Sequence, residues 1–286
     1  MNVEKFYAVK QEKVSAAISK KYPSISYSLI QKLFRNKDVK INGLRAGKDT
    51  VVDVGDEICF FVKDDVIKKI EIIYEDDNLV VVFKRRGIET VSEESEDLLS
   101  LVSKQLNWQC FAVHRLDRNT EGLVVFAKTE TAKKELDVAF KNRTLEKFYL
   151  SLVYGLFGKK QDNMIAYLKK DSTKSLVYIS DKEQKGFEKI QTNYKVVHEF
   201  ENASIVEVEL ITGKTHQIRA HFSHIGHFVI GDEKYGDSNI NKIFGKRYQC
   251  LCAYKIVFNF NGGELAYLNG KEVCLDKSKI DFCQNM

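Results

Sequence analysis

The chain has a single proline, Pro23, so it carries no proline-rich linker or comparable low-complexity tract. It has no stretch approaching the roughly 18 consecutive apolar residues of a membrane-spanning helix, which excludes that class and predicts no membrane partner. Six cysteines (59, 110, 250, 252, 274 and 283) form neither a CxxC pair nor a small-domain disulfide spacing. Free thiols in a reducing compartment are therefore expected. Cys250 and Cys252 alternate onto one face of an expected strand, which is poor geometry for a tetrahedral zinc site. Residues 1 to 13 lack the apolar block of a signal peptide, so a cytoplasmic location is expected. His216, His221, His224 and His227 crowd one segment, but no HExxH accompanies them, which argues against a metal-dependent hydrolase. Gly213-Lys214-Thr215 resembles the end of a phosphate loop, yet Val208 occupies the place of its first glycine.

What is present is a soluble globular composition, 44% hydrophobic and 30% charged, on a chain long enough for one large domain and a small one. The net charge of +5 is modest, but its distribution is uneven. Between residues 20 and 48, eight bases (Lys20, Lys21, Lys32, Arg35, Lys37, Lys40, Arg45 and Lys48) face Asp38 alone, a local excess of +7. Such a patch is the usual footprint of a phosphate backbone.

Residues 1 to 62 read as a compact module. Val14, Ile18 and Tyr22 repeat at helical spacing; Pro23-Ser24 breaks that helix, and Ser26 is suited to cap a second one with Leu29, Ile30, Leu33 and Phe34 inward. Val39 and Ile41 alternate into Asn42-Gly43, a tight-turn signal, and residues 58 to 62 form a further strand after Gly55-Asp56. Residues 63 to 69 are a short polar linker. From 70 to 286 the pattern is rich in strands (70–74, 79–84, 123–128, 148–154, 194–197, 204–211 and 251–260), with helices near 96–106, 130–141 and 215–225. Without a regular βαβ period, an α+β fold on a mixed, largely antiparallel sheet with flanking helices is expected.

The stretch 114–128, HRLDRNTEGLVVFAK, places Asp117 among His114, Arg115 and Arg118 immediately before an apolar strand. It resembles the signature of the RluA-type RNA pseudouridine synthases, in which His-Arg-Leu-Asp precedes Thr-Ser-Gly-Leu. EKFYLSLVYG (146–155) resembles that family's Lys-x-Tyr strand, and 210–236 resembles its Thr-Gly-Arg-x-His-Gln-Ile-Arg segment followed by Gly-Asp-x-x-Tyr-Gly. SYSLIQKLFRNKDVKING and VDVGDEI resemble the S4 RNA-binding domain, so the likeness extends over nearly the whole chain. It implies isomerisation of uridines within structured RNA, ribosomal RNA of the large subunit first and transfer RNA as the other candidate, with neither cofactor nor metal; a monomer is expected. Asp117 matches the essential aspartate, Tyr149 the tyrosine against the target base, and Arg219 the arginine that pairs with the aspartate. Arg115 matches a residue that fills the space of a flipped nucleotide. Whether the aspartate attacks carbon or removes a sugar proton stays open. Lys32, Arg35, Lys37 and Lys40 are the expected RNA contacts of the S4-like module.

Helical spacing adds a detail of its own. With 215–225 as a helix, Ile218, Phe222 and Ile225 share its buried face, while Arg219 sits about 100° away on the side of His216. His114 is expected to pack the loop rather than carry protons. The chain departs from the family pattern at Glu121, which replaces a serine and adds an acid near a polyanion, and at Lys214, which replaces an arginine. Phe83-Lys84-Arg85-Arg86 stands where Asn-Lys-Pro-x is usual. The rival reading is an RNA-binding or ribosome-assembly factor that keeps the fold without activity.

Overall fold

The computed structural model describes residues 2–22, 25, 27–62, 70–93 and 97–284. The expected break at Pro23-Ser24, the Ser26 cap and the 63–69 linker lie outside the described residues. The chain divides into two compact units, Met1–Lys69 and Ile70–Met286.

In the first unit, β1 (Asn2–Tyr7) and β2 (Glu12–Lys13) precede α1 (Val14–Lys21) and α2 (Tyr27–Arg35). Then come β3 (Val39–Ile41), β4 (Leu44–Arg45), β5 (Val51–Val52) and β6 (Glu57–Val62). Four strands form an antiparallel sheet in the order β1-β6-β3-β4. Asn42 and Gly43 both take positive φ, +48° and +83°, which lets a two-residue turn match the strand twist between β3 and β4. Val14, Ile18, Ile30, Leu33, Val39, Ile58 and Phe60 close the core. β1 escapes a pattern reading because its apolar residues do not share one buried face: Val3 and Tyr7 are exposed. On α2, Lys32 and Arg35 are exposed in the last turn, and Lys37 follows in a left-handed conformation. The Lys40 ammonium lies 5.5 Å over the ring of Phe61.

The second unit is an α+β domain. Its strands are β7 (Glu71–Glu75), β8 (Leu79–Lys84), β9 (Phe111–Ala112), β10 (Glu121–Ala127), β11 (Leu145–Tyr154), β12 (Gln161–Asp171), β13 (Leu176–Ser180), β14 (Glu188–Glu199), β15 (Ala203–Leu210), β16 (Leu251–Phe258) and β17 (Lys271–Cys274). They pair in the order β13-β12-β14-β15-β11-β16-β10-β8-β7, with β17 on β16 and β9 on β10. Among the described pairs only β10 with β16 is parallel. Helices α3 (Leu98–Leu106), α4 (Glu130–Asn142), α5 (Gln217–His224) and α6 (Ser238–Ile243) complete the domain.

Both faces of the central strands are covered, which explains why β8 and β10 read as unbroken apolar runs. On one face Val81, Leu123, Val125 and Leu150 pack with Ala132 and Leu136 of α4 and with C-terminal residues such as Leu268 and Phe282. On the other, Val80, Val82, Val124 and Phe126 pack with Leu98 and Val102 of α3 and with Ile218 and Phe222 of α5. Thr129 caps α4 by accepting the Ala132 N–H at 3.0 Å. Gly122, at φ +128°, is required where β10 meets β16, because a Cβ there would lie 2.3 Å from the Ala253 carbonyl oxygen.

The fold departs from the expected pattern at both ends of α5, which begins at Gln217, and in elements the pattern does not show, among them β9, β12, β13, β17 and α6. Ile225 is not on a buried helix face: α5 ends at His224, and Ile225 is its exposed C-cap. β12 and β13 are additional strands, because only Met164, Ala166 and Leu168 of β12 are buried in alternation while Ile165 between them is exposed. The apolar Ile165 and Tyr167 between those inward residues blur the period-two signal.

Candidate active site

The loop from Val113 to Thr120 joins β9 to β10 and is held from several sides. His114 Nε2 accepts the Val125 N–H at 2.9 Å, and the ring stacks on Phe140. Burial pushes the His114 pKa down to about 3, in keeping with a neutral, structural imidazole. Thr90 Oγ1 accepts the Leu116 N–H at 3.1 Å. Lys84, fully buried at the end of β8, donates to the carbonyls of Ile88 and Arg118 at 2.8 and 2.9 Å, and Gly87 N–H also donates to Arg118. Burial pushes the Lys84 ammonium down to about 8 against the attraction of Asp117 and Glu121. The segment 84–90 thus supports the loop that carries Asp117.

That loop presents Asp117 to α5. Arg219 Nη1 donates to Asp117 Oδ2 at 2.8 Å, while its Nε and Nη2 fork onto Asp232 at 2.6 and 2.9 Å. The Arg219 side chain is 7% exposed, Asp232 is fully buried and Asp117 is 26% exposed, so the network opens on the Asp117 side. Burial alone would lower the Arg219 pKa, but the bonds to Asp232 and Asp117 outweigh it and hold the guanidinium above its ordinary range. Asp232 also accepts the backbone N–H groups of Lys234 and Tyr235, and the guanidinium lies 5.2 Å from the Tyr235 ring centre.

Tyr149 projects from β11 at a register shift against β16, where Phe148 faces Lys255 but Tyr149 faces Ala253. A bulge of this kind re-aims a side chain beside a cavity. Tyr149 is 6% exposed, and burial, with Asp117 nearby, pushes its phenol pKa up. A cavity of about 500 Å³ is lined by Asp117, Tyr149, Arg219, Arg115, His216 and Leu251 among others. Lys141, Arg143, Lys147 and Lys214 contribute positive charge to its wall. The sequence-identified Asp117, Tyr149, Arg219 and Arg115 therefore converge on one cavity, while Lys32, Arg35, Lys37 and Lys40 belong to the first unit. Asp232 and His216 carry no role in the sequence reading, although both lie inside the quoted 210–236 stretch. The clustered histidines disperse: His216 meets Tyr235, His221 meets Thr192, His224 meets Asp181 and His227 meets the Tyr154 carbonyl.

Glu121 does not stand as an extra acid facing a polyanion. It is buried in β10 and takes a two-pronged bond from Arg86 at 3.1 and 2.8 Å, and Arg86 also reaches Asp281 at 3.2 Å. The departures at 86 and 121 are thus one ion pair beneath the loop. Glu121→Gln leaves the quarter-exposed Arg86 with Asp281 as its remaining counter-charge, so it is expected to cost about 1–2 kcal/mol in urea unfolding. Replacing Arg86 and Glu121 together by leucine should recover most of that loss. A Glu121→Gln protein as stable as the parent would show that the pair is not a buried one.

A family model described as RNA pseudouridylate synthase matches residues 78–224, a span that holds Asp117, Tyr149 and Arg219. A Mycoplasma genitalium protein described as an uncharacterized RNA pseudouridine synthase is 31% identical over 290 residues, covering 90% of this chain and 89% of its own length. A Rickettsia bellii protein described as ribosomal large subunit pseudouridine synthase C is 31% identical over 282 residues, covering 89% of this chain and 90% of its own. Among solved structures, human RNA Pseudouridylate Synthase Domain Containing 1 shares the fold, with a TM-score of 0.63 at 22% identity over 78% of this chain and 90% of that one.

Proposed function

Because the chain belongs to the RNA pseudouridylate synthase family, we propose that it isomerises specific uridines of large-subunit ribosomal RNA with Asp117 as the essential group. The naming of relatives such as the Rickettsia bellii protein supports that choice of RNA. The observation that carries the assignment of residues is the Asp117–Arg219 bond of 2.8 Å at the wall of a cavity that Tyr149 also lines.

The reaction balances without a co-reactant. The N1–C1′ bond breaks, the bonding pair stays with the uracil, the ring turns, and C5 bonds to C1′. C5 loses a proton and N1 gains one. In this reading the uridine leaves its stack and enters the cavity. Tyr149 supports the face of the base, Arg115 fills the space left in the RNA, and the Arg219 fork holds the Asp117 carboxylate toward the sugar. Asp232 fixes the other side of that fork, so the guanidinium has little freedom to swing away. The cations of the cavity wall suit the flanking phosphates. The retained Asp117, Tyr149 and Arg219 argue against an inactive assembly factor. A cytoplasmic site of action follows from an RNA substrate of this kind, and among the described residues no helix is long and apolar enough to cross a membrane.

The first unit reads as an S4-like RNA-binding domain, with Lys32, Arg35, Lys37 and Lys40 as its phosphate contacts. Replacing Lys32, Arg35 and Lys37 by alanine should weaken RNA binding and flatten the plot of log K against log salt. The slope is expected to fall by roughly 0.7 for each single-strand phosphate that the variant no longer neutralises. A slope identical to the parent's would show that these side chains do not touch phosphate. The activity itself is tested by incubating purified protein with large-subunit RNA fragments and no added cofactor, and reading pseudouridine after digestion to nucleosides.

A further inference from the structure

His216 lines the same cavity, yet the steps of the isomerisation so far give it no task. It is the residue before α5, and its backbone is left-handed at φ 53° and ψ 16°. A non-glycine residue there carries a conformational cost that glycine would avoid. A side chain that does chemistry accounts for keeping it.

The hydrogen bonds around the ring assign its proton. Tyr235 Oη accepts the Val177 N–H at 2.9 Å and lies 2.9 Å from His216 Nδ1. With its oxygen already accepting, the Tyr235 hydroxyl satisfies its own hydrogen by donating to Nδ1, so the neutral ring carries its proton on Nε2. Nε2 is 3.9 Å from Asp117 Oδ2, beyond hydrogen-bond length, and no hydrogen bond among the described residues engages it. Burial, with Arg219 and Lys234 nearby, outweighs the pull of Asp117 and lowers the imidazole pKa, which favours the neutral form.

The geometry points to His216 as a catalytic residue, whose Nε2–H donates to a uracil carbonyl oxygen and stabilises the anion formed when the N1–C1′ bond breaks. That anion spreads its charge over N1, O2 and O4, so a fixed donor beside Asp117 acts where the charge develops. The proton stays on Nε2 throughout. This role rests on the isomerase reading and refines it.

The test compares two RNAs, one with uridine and one with 5-fluorouridine at the target position. Fluorine makes the departing uracil anion more stable, so cleavage of the second RNA depends less on a donor. His216→Asn keeps a side chain that tolerates the left-handed backbone but falls short of the Nε2 position. It should lower kcat on uridine RNA roughly 100-fold with KM little changed. His216→Gln, whose amide reaches farther, should recover part of the loss. On 5-fluorouridine RNA, followed as disappearance of that nucleoside, the His216→Asn penalty should shrink severalfold. Tyr235→Phe removes the hydroxyl that sets the tautomer and should show a smaller loss with the same attenuation, which covers the case of a His216 variant that does not fold. Parental kcat for His216→Asn, or an equal penalty on both RNAs, would overturn the role. If the parent protein cleaved neither RNA, the isomerase reading itself would fail instead.

Discussion

Asp117→Asn is expected to lower conversion of uridine by about four orders of magnitude or more, the scale seen when a group that acts as a unit with its neighbours is removed. Asparagine preserves shape and can still accept a bond from Arg219, so the loop 113–120 should stay in place. Its other anchors, His114 to Val125 and Lys84 to Arg118, do not involve the Asp117 side chain. RNA affinity should be unchanged or slightly tighter, because a negative charge beside a polyanion has been removed. Single-turnover conversion and filter binding on one RNA separate the two effects. Loss of binding in step with activity would mean that Asp117 holds RNA rather than transforms it.

The second large effect concerns Arg219, which joins two carboxylates. Arg219→Ala leaves fully buried Asp232 without its cation and is expected to cost about 3–5 kcal/mol of stability as well as activity. Arg219→Lys keeps the charge, but one ammonium cannot span Asp117 and Asp232 with the geometry of a planar fork. It should unfold closer to the parent while turnover falls sharply. The pair Arg219→Met with Asp232→Asn removes both buried charges and should restore much of the stability without restoring activity. Urea unfolding beside the conversion assay reads both quantities. Parental turnover in Arg219→Lys would show that the bridge is dispensable.

The parts of the site that the sequence displays are those with a local signature. Asp117 stands in an unusual crowd of charge before an apolar strand; Arg219 is legible through the motif that resembles the family, and helical phase adds only that it projects beside the buried Ile218 and Phe222. The apolar strands β8 and β10 are equally legible, since burial on both faces leaves a plain run of hydrophobic residues. What the pattern hides depends on residues distant in the chain. The fork of Arg219 onto Asp232 spans 13 positions, and the Arg86–Glu121 pair spans 35. Neither distance corresponds to a helix or strand period, so no pattern announces it. The same holds for His216, whose meaning depends on a left-handed backbone and on Tyr235 nineteen residues later. Strands such as β1 and β12 stay hidden because apolar side chains on their exposed faces, Val3, Tyr7 and Ile165, blur the alternation.

The decisive experiment is a pseudouridine map of total RNA from cells with and without this gene, complemented by the parent or by Asp117→Asn. One or a few positions in large-subunit ribosomal RNA are expected to lose the modification, the parent should restore them and the asparagine variant should not. An unchanged map, or full restoration by the variant, would contradict the assignment of Asp117 as the essential group of a uridine isomerase.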